Sequence, residues 1–217
     1  MEQAAVSIAG RRIRGLYAVT PDERDTAVLA AKVRAALAGG ANLVQYRNKA
    51  VDPATRREQA IALLEICRER EVPLIINDDL RLALDIDADG VHLGEDDGSL
   101  EAARAQLATD KIVGASCHDR LPLARAAQRS GASYVAFGSF FPSNVKPAAV
   151  RAPLQLLRDA KASMAIPVVA IGGITAVNAP QLVAAGADCI AVISALFAAG
   201  DVEAAARQFV RLFSPAR

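Results

Sequence analysis

Carboxylates and amides collect just after two short apolar runs. Leu74-Ile75-Ile76 leads into Asn77-Asp78-Asp79, and Gly90-Val91-His92-Leu93-Gly94 leads into Glu95-Asp96-Asp97. Carboxylates at two neighbouring strand ends can share a hard cation. Magnesium favours a few carboxylate oxygens plus the phosphate oxygens of a substrate, so this pattern points to a phosphorylated ligand, and to a diphosphate in particular. The same residue types also cap helices and form turns, so the pattern acquires meaning only from what surrounds it.

Cations stand nearby. Gln45, Arg47 and Lys49 alternate along and beyond another apolar run, and in an extended chain alternate residues face the same way. Arg offers a planar fork to phosphate oxygens and Lys a mobile point charge. Further along, Ser116-Cys117-His118 follows an apolar segment, and Phe140-Phe141-Pro142-Ser143-Asn144-Val145-Lys146-Pro147 forms a long loop carrying Lys146. Gly172-Gly173 lets backbone N–H groups approach an oxyanion, and Ile193-Ser194 falls at a predicted helix start, where N–H groups have no intrahelical partner.

These segments must be positioned by strands and helices in alternation. The pattern predicts strands at 16–20, 42–47, 73–77, 90–94, 111–116, 134–140, 167–171 and 189–193. Helices are predicted between them and a closing helix running to about Leu212. Strands that each need a crossover helix form a parallel sheet. Eight regular units without an interrupting insertion fit a closed (β/α)8 barrel, the TIM barrel, which leaves no exposed sheet edge. Glycine-alanine pairs at Gly40-Ala41, Gly131-Ala132 and Gly186-Ala187 mark helix ends. No linker divides the chain, so residues 1–217 are expected to form one domain, with 1–14 as an N-terminal arm.

Composition agrees with this architecture. The 217 residues match the ~200–250 common for a one-domain barrel. They are 53% hydrophobic but only 4% aromatic with no Trp, so the apolar mass is the Ala, Val, Leu and Ile of buried strands and close-packed helices. A net charge of +1 provides no field for nucleic acid or anionic lipid, which leaves small molecules as the expected partners. Cys67, Cys117 and Cys189 match no metal-ligand spacing and read as buried thiols. No segment reads as a leader or a bilayer span, and the expected location is the cytoplasm. A homo-oligomer is left open.

The motifs Gln45-Tyr46-Arg47-Asn48-Lys49, Ile76-Asn77-Asp78-Asp79, Gly90-Val91-His92-Leu93-Gly94 with Asp97, Gly114-Ala115-Ser116, Phe137-Gly138 through Lys146, Ile171-Gly172-Gly173-Ile174 and Ala191-Val192-Ile193-Ser194 occur in an order that resembles thiamine-phosphate synthase. The resemblance covers nearly the whole chain. It implies a (β/α)8 barrel that couples 4-amino-5-hydroxymethyl-2-methylpyrimidine diphosphate to 4-methyl-5-(2-phosphoethyl)thiazole, giving thiamine monophosphate and diphosphate with Mg2+ by a dissociative route.

Residue by residue, the resemblance implies that Gln45, Arg47, Lys49 and Asn77 bind the pyrimidine diphosphate. Asp78 and Asp97 would hold Mg2+, and Ser116 and Lys146 would complete the diphosphate contacts. Gly173, Ile193 and Ser194, with Ser143 of the long loop, would bind the thiazole phosphate. Arg47, Lys49, Lys146 and Ser116 are the expected catalytic group. Three positions depart from the family pattern, the first being Ser143, which stands where a threonine is usual but keeps a hydroxyl. Val145 stands where a threonine is usual, and Glu95 stands where glutamine is usual. Two rivals share the barrel: a thiazole tautomerase, which would use a histidine near the end of the sixth strand where this chain has Gly138-Ser139-Phe140, and a non-catalytic phosphate-ligand sensor. His92 is expected to be a packed strand residue and His118 an exposed one.

Overall fold

The computed structural model describes residues 13–142 and 150–213. The expected arm at 1–14 falls almost entirely outside that range, as do Ser143, Val145 and Lys146.

Eight parallel strands close into a barrel in sequence order: β1 (Gly15–Val19), β2 (Leu43–Tyr46), β3 (Leu74–Asn77), β4 (Gly90–Leu93), β5 (Ile112–His118), β6 (Tyr134–Phe137), β7 (Val168–Ile171) and β8 (Cys189–Val192). The ring is completed by β1 against β8, with Leu16 opposite Ile190 and Tyr17 opposite Ala191. Helices α1 (Thr26–Ala38), α2 (Pro53–Arg68), α3 (Leu80–Asp85), α4 (Leu100–Gln106), α5 (Leu121–Arg129), α6 (Leu154–Ser163) and α7 (Ala179–Ala184) return the chain from one strand to the next. The last strand is followed by α8 (Ser194–Phe197) and α9 (Val202–Arg211).

Alternation along each strand divides the apolar side chains into two cores. Tyr17, Leu43, Ile75, Ile112, Tyr134 and Val169 fill the barrel interior. Their neighbours, such as Leu16, Val44, Ile76, Val113 and Val135, face outward into the layer beneath the helices. A strand buried on both faces reads as a continuous apolar run, which is why these segments were visible in the sequence. Side-chain caps start several helices: Asp25 accepts from Ala27 and Val28, and Asp52 accepts from Ala54 and Thr55 with Pro53 in the first helical turn.

Most strand ends agree with expectation to within one residue, and three features differ by more. β6 stops at Phe137 rather than Phe140, because Phe140 and Phe141 turn their N–H groups to Ile171 and Gly172 at the end of β7. β5 runs on to His118 through a bulge, with Ser116 opposite Ala136 but His118 opposite Phe137. The single closing helix is two helices, since Asp201 caps a new start by accepting from the Ala204 N–H. All three cysteines are buried free thiols, as expected. Among the described residues, no helix is long and apolar enough to cross a membrane.

Candidate active site

The carboxyl ends of the strands carry the chemistry, and the end of β1 organises the end of β2. Thr20, fully buried just after β1, donates its hydroxyl to the Arg47 carbonyl and accepts from the Arg47 N–H, both at 2.8 Å. Two residues on, the Asp22 carboxylate accepts from the Lys49 backbone N–H at 2.7 Å and pairs with the Arg47 guanidinium at 3.1 Å. The Arg47 side chain is only 14% exposed but that of Asp22 is 41% exposed, so this charge-assisted contact is partly shielded from water. Sequence reasoning missed Asp22, which reads as an ordinary turn former after Pro21.

Of the alternating trio, Gln45 points into the barrel and is buried. Arg47 and Lys49 lie beyond the strand and reach different partners. Lys49 pairs with Asp78 at 3.2 Å. Asp78 follows Asn77, the last residue of β3, and sits in the left-handed region at φ 62°, with its N–H donating to the His92 carbonyl at 2.8 Å. Asp and Asn tolerate that conformation better than other side chains, and here it carries the carboxylate over the mouth. Asp79 has the other role open to such residues, capping α3 by accepting from the Leu82 N–H at 2.9 Å.

Asp97 is brought back by a tight turn. Its carboxylate accepts from the Gly94 N–H at 2.9 Å, and a Cβ on Gly94 would lie 2.6 Å from that same oxygen. Asp97 and Asp78 share a hydrogen bond. Burial pushes both carboxyls up, but for Asp78 the hydrogen bonds from Asp97 and Lys49 outweigh it and hold the group below its ordinary value. Burial and then the neighbouring Asp78 raise Asp97. Of the two, Asp97 is the carboxyl that takes up a proton more readily. Two neighbouring carboxylates whose charges disfavour one another are a donor set suited to a divalent cation.

Ser116 sits at the bulge of β5, partly buried, and its hydroxyl is 2.8 Å from His92 Nε2. His92 is thus the packed strand residue expected, but it is hydrogen-bonded within the site. His118 is exposed, as expected. Glu95 turns away from the carboxylate pair to an ion pair with Arg120. A cavity of about 390 Å³ lies beside the β2 and β3 ends, lined by Lys49, Asn77, Asp78, Asn48, Arg56 and Tyr46 among others. Within it Arg56 Nε is a buried polar atom with no hydrogen-bond partner among the described residues.

Across the mouth, Gly172 and Gly173 have φ of 103° and 62°. Their missing side chains are required by close packing: a Cβ on Gly172 would lie 2.2 Å from Ser139 Oγ, and one on Gly173 2.2 Å from the Pro142 carbonyl oxygen. The glycines therefore serve the β6–β7 loop contact as well as any ligand. Ile193 and Ser194 stand at the start of α8, beside β7 through the Ile171–Ala191 pairing. The structure thus brings Gln45, Arg47, Lys49, Asn77, Asp78, Asp97, Ser116, Gly173, Ile193 and Ser194 to the same end of the barrel.

A parallel barrel with cations, paired carboxylates and a glycine–helix-start pair at one mouth belongs to the class of barrel enzymes that act on small phosphorylated molecules. The family model described as thiamine monophosphate synthase matches residues 16–196. The thiamine-phosphate synthase of Methylobacillus flagellatus is 56% identical over 202 residues, 93% of this chain and 96% of that protein. That of Thiobacillus denitrificans is 58% identical over 200 residues, covering 92% and 95%. Among solved structures, thiamine phosphate pyrophosphorylase from Pyrococcus furiosus superposes with a TM-score of 0.82 at 36% identity, covering 94% of this chain and 96% of that one. The chain belongs to the thiamine monophosphate synthase family.

Proposed function

We infer that this chain is a thiamine-phosphate synthase, a transferase that joins 4-amino-5-hydroxymethyl-2-methylpyrimidine diphosphate to 4-methyl-5-(2-phosphoethyl)thiazole and releases diphosphate. The observation that carries the reading is the linked set Asp22–Arg47 and Lys49–Asp78–Asp97 at one side of the mouth, opposite the β7–β8 end. A reaction with a diphosphate leaving group needs concentrated positive charge where negative charge develops. Arg47 and Lys49 supply it once the ligand and metal draw them from their pairs with Asp22 and Asp78.

Asp78 and Asp97 would hold Mg2+, which when bound supplies Lewis-acid stabilisation of the departing diphosphate. Ser116 and Asn77 orient the diphosphate, and Lys146 of the long loop adds a third cation. Gly173, Ile193 and Ser194, with Ser143, bind the phosphate of the thiazole, so the nucleophilic ring nitrogen and the reactive methylene are held together. No protein nucleophile is required. The electron-rich aminopyrimidine stabilises a cationic methylene once the C–O bond breaks, and the thiazole nitrogen captures it. Three buried free thiols fit a reducing compartment, and the cytoplasm is the proposed location.

Coupling measured with both substrates checks this reading. Thiamine monophosphate and diphosphate appear together only in the presence of Mg2+ and both partners. Tautomerised thiazole without diphosphate release would instead assign the chain to the isomerase chemistry.

A further inference from the structure

The polar side chains buried inside the barrel form one continuous line between two ligand-facing residues. Gln45 Nε2 donates to the Tyr17 hydroxyl at 2.8 Å. The Tyr17 and Tyr134 hydroxyls are 2.8 Å apart, and Tyr134 is 2.8 Å from His92 Nδ1. His92 Nε2 is in turn 2.8 Å from Ser116 Oγ. The rings are fixed against one another, Tyr17 edge-on to Tyr134 and His92 stacked on it at 22°. Gly114 makes the room: a Cβ there would lie 2.1 Å from Tyr134 Cζ and 2.3 Å from its hydroxyl oxygen. Glycine weakens a strand interior, and the close approach of this ring accounts for its presence in β5.

The Gln45 donor is compatible with one consistent direction along the line. Burial pushes the Tyr17 and Tyr134 hydroxyls well above their ordinary values, so each keeps its single proton. Tyr17 accepts a hydrogen bond from Gln45 Nε2, which leaves its own proton available to Tyr134. Tyr134 then directs its proton at His92 Nδ1. A neutral imidazole that accepts at Nδ1 carries its proton on Nε2 and donates it to Ser116. The Ser116 proton is consequently free to meet a ligand, and Gln45 offers its Oε1 as an acceptor. Reversing every bond would make Ser116 an acceptor and Gln45 a donor.

We propose that Tyr17, Tyr134 and His92 are positioning residues, a one-directional hydrogen-bond relay that fixes Gln45 as the acceptor end and Ser116 as the donor end of the pocket. The ligand this polarity selects has a donor group at one end and anionic oxygens at the other. Resting on the proposed function for the ligand's identity, it favours an aminopyrimidine diphosphate over its 4-oxo counterpart, because the oxo group would place acceptor against acceptor at Gln45. The discrimination follows from the arrangement of hydrogen bonds inside the barrel.

The relay is tested first without turnover. The chain has two histidines, so 15N-histidine labelling gives two imidazoles, and a His118→Gln variant identifies the signal of His92. The relay predicts the neutral Nε2–H tautomer for His92, unchanged on adding the pyrimidine diphosphate. A dominant Nδ1–H tautomer overturns it, whether or not the protein makes thiamine phosphate. Binding of the amino and 4-oxo pyrimidine diphosphates to Tyr134→Phe is the second test. Discrimination between them is expected to fall about tenfold, the scale of one lost hydrogen bond, with affinity for the thiazole phosphate unchanged. Equal weakening of both pyrimidines would make Tyr134 merely structural. If Tyr134→Phe does not fold, His92→Gln, which keeps an amide donor toward Ser116, should recover the discrimination that His92→Leu loses, and equal behaviour of those two variants contradicts the relay.

Discussion

The two sides of the barrel mouth are built by different means. At β2–β4 the site consists of side chains already committed to one another: Arg47 to Asp22, Lys49 to Asp78, and Asp78 to Asp97. At β7–β8 it consists of backbone, with Gly172 and Gly173 packed against Ser139 and Pro142 and α8 starting alongside. The first side stores charge in neutral pairs that a ligand and metal must rearrange. The second is shaped by steric fit and has little to rearrange. Substitutions on the first side should therefore change chemistry while sparing the fold, and substitutions on the second should damage the fold.

The largest expected effects separate those two outcomes. Arg47→Ala and Asp78→Asn should each lower the coupling rate by about a hundred- to a thousandfold, the range seen when one preorganised charge-stabilising group is removed. Asn is chosen at 78 because it tolerates the left-handed backbone there. Their thermal midpoints should stay close to the parent's, and a variant with unchanged turnover would remove that residue from the mechanism. Gly173→Ala should do the reverse in kind, costing about 2–4 kcal/mol of stability in denaturant titration through strain and overpacking. A stable Gly173→Ala protein would show that the loop gives way easily.

Asp22→Asn sharpens the comparison. It keeps a hydrogen-bond acceptor for the Lys49 N–H but removes the charge beside Arg47, so the guanidinium loses its anchor. A loss of about tenfold in kcat/KM is expected, carried by the pyrimidine diphosphate and not by the thiazole phosphate. The smallest effect concerns pH. Burial and the neighbouring Asp78 raise the Asp97 carboxyl above its ordinary value, so a cation bound there competes with its proton. Apparent Mg2+ affinity should fall as pH drops through that raised value, with proton release on binding detectable by calorimetry in buffers of different ionisation enthalpy. Affinity that does not vary with pH would contradict that competition.

Much of this was legible in the sequence because it is local. Each strand is a short run of buried aliphatic residues and each helix ends in a recognisable stop, so eight units could be counted and their carboxyl ends located. That is enough to place Asp78, Arg47, Lys49 and Ser194 at one mouth. Contacts set by distant segments were not legible. Asp22 reads as a turn residue until β1 and β2 are side by side. His92 reads as a packed strand residue until the register brings Tyr134 and Ser116 against it. Gly172 and Gly173 suggest an oxyanion site, whereas their steric need for the β6 loop emerges only in three dimensions. The same long-range contact cut β6 short, and a side-chain cap at Asp201 divided the final helix.

The most direct test of the central claim is diphosphate release on mixing the purified protein with both substrates, with and without Mg2+, while thiamine monophosphate is followed in parallel. Equal amounts of both products, formed only when metal and both substrates are present, are predicted. Diphosphate and thiamine monophosphate both absent under saturating conditions would contradict the account.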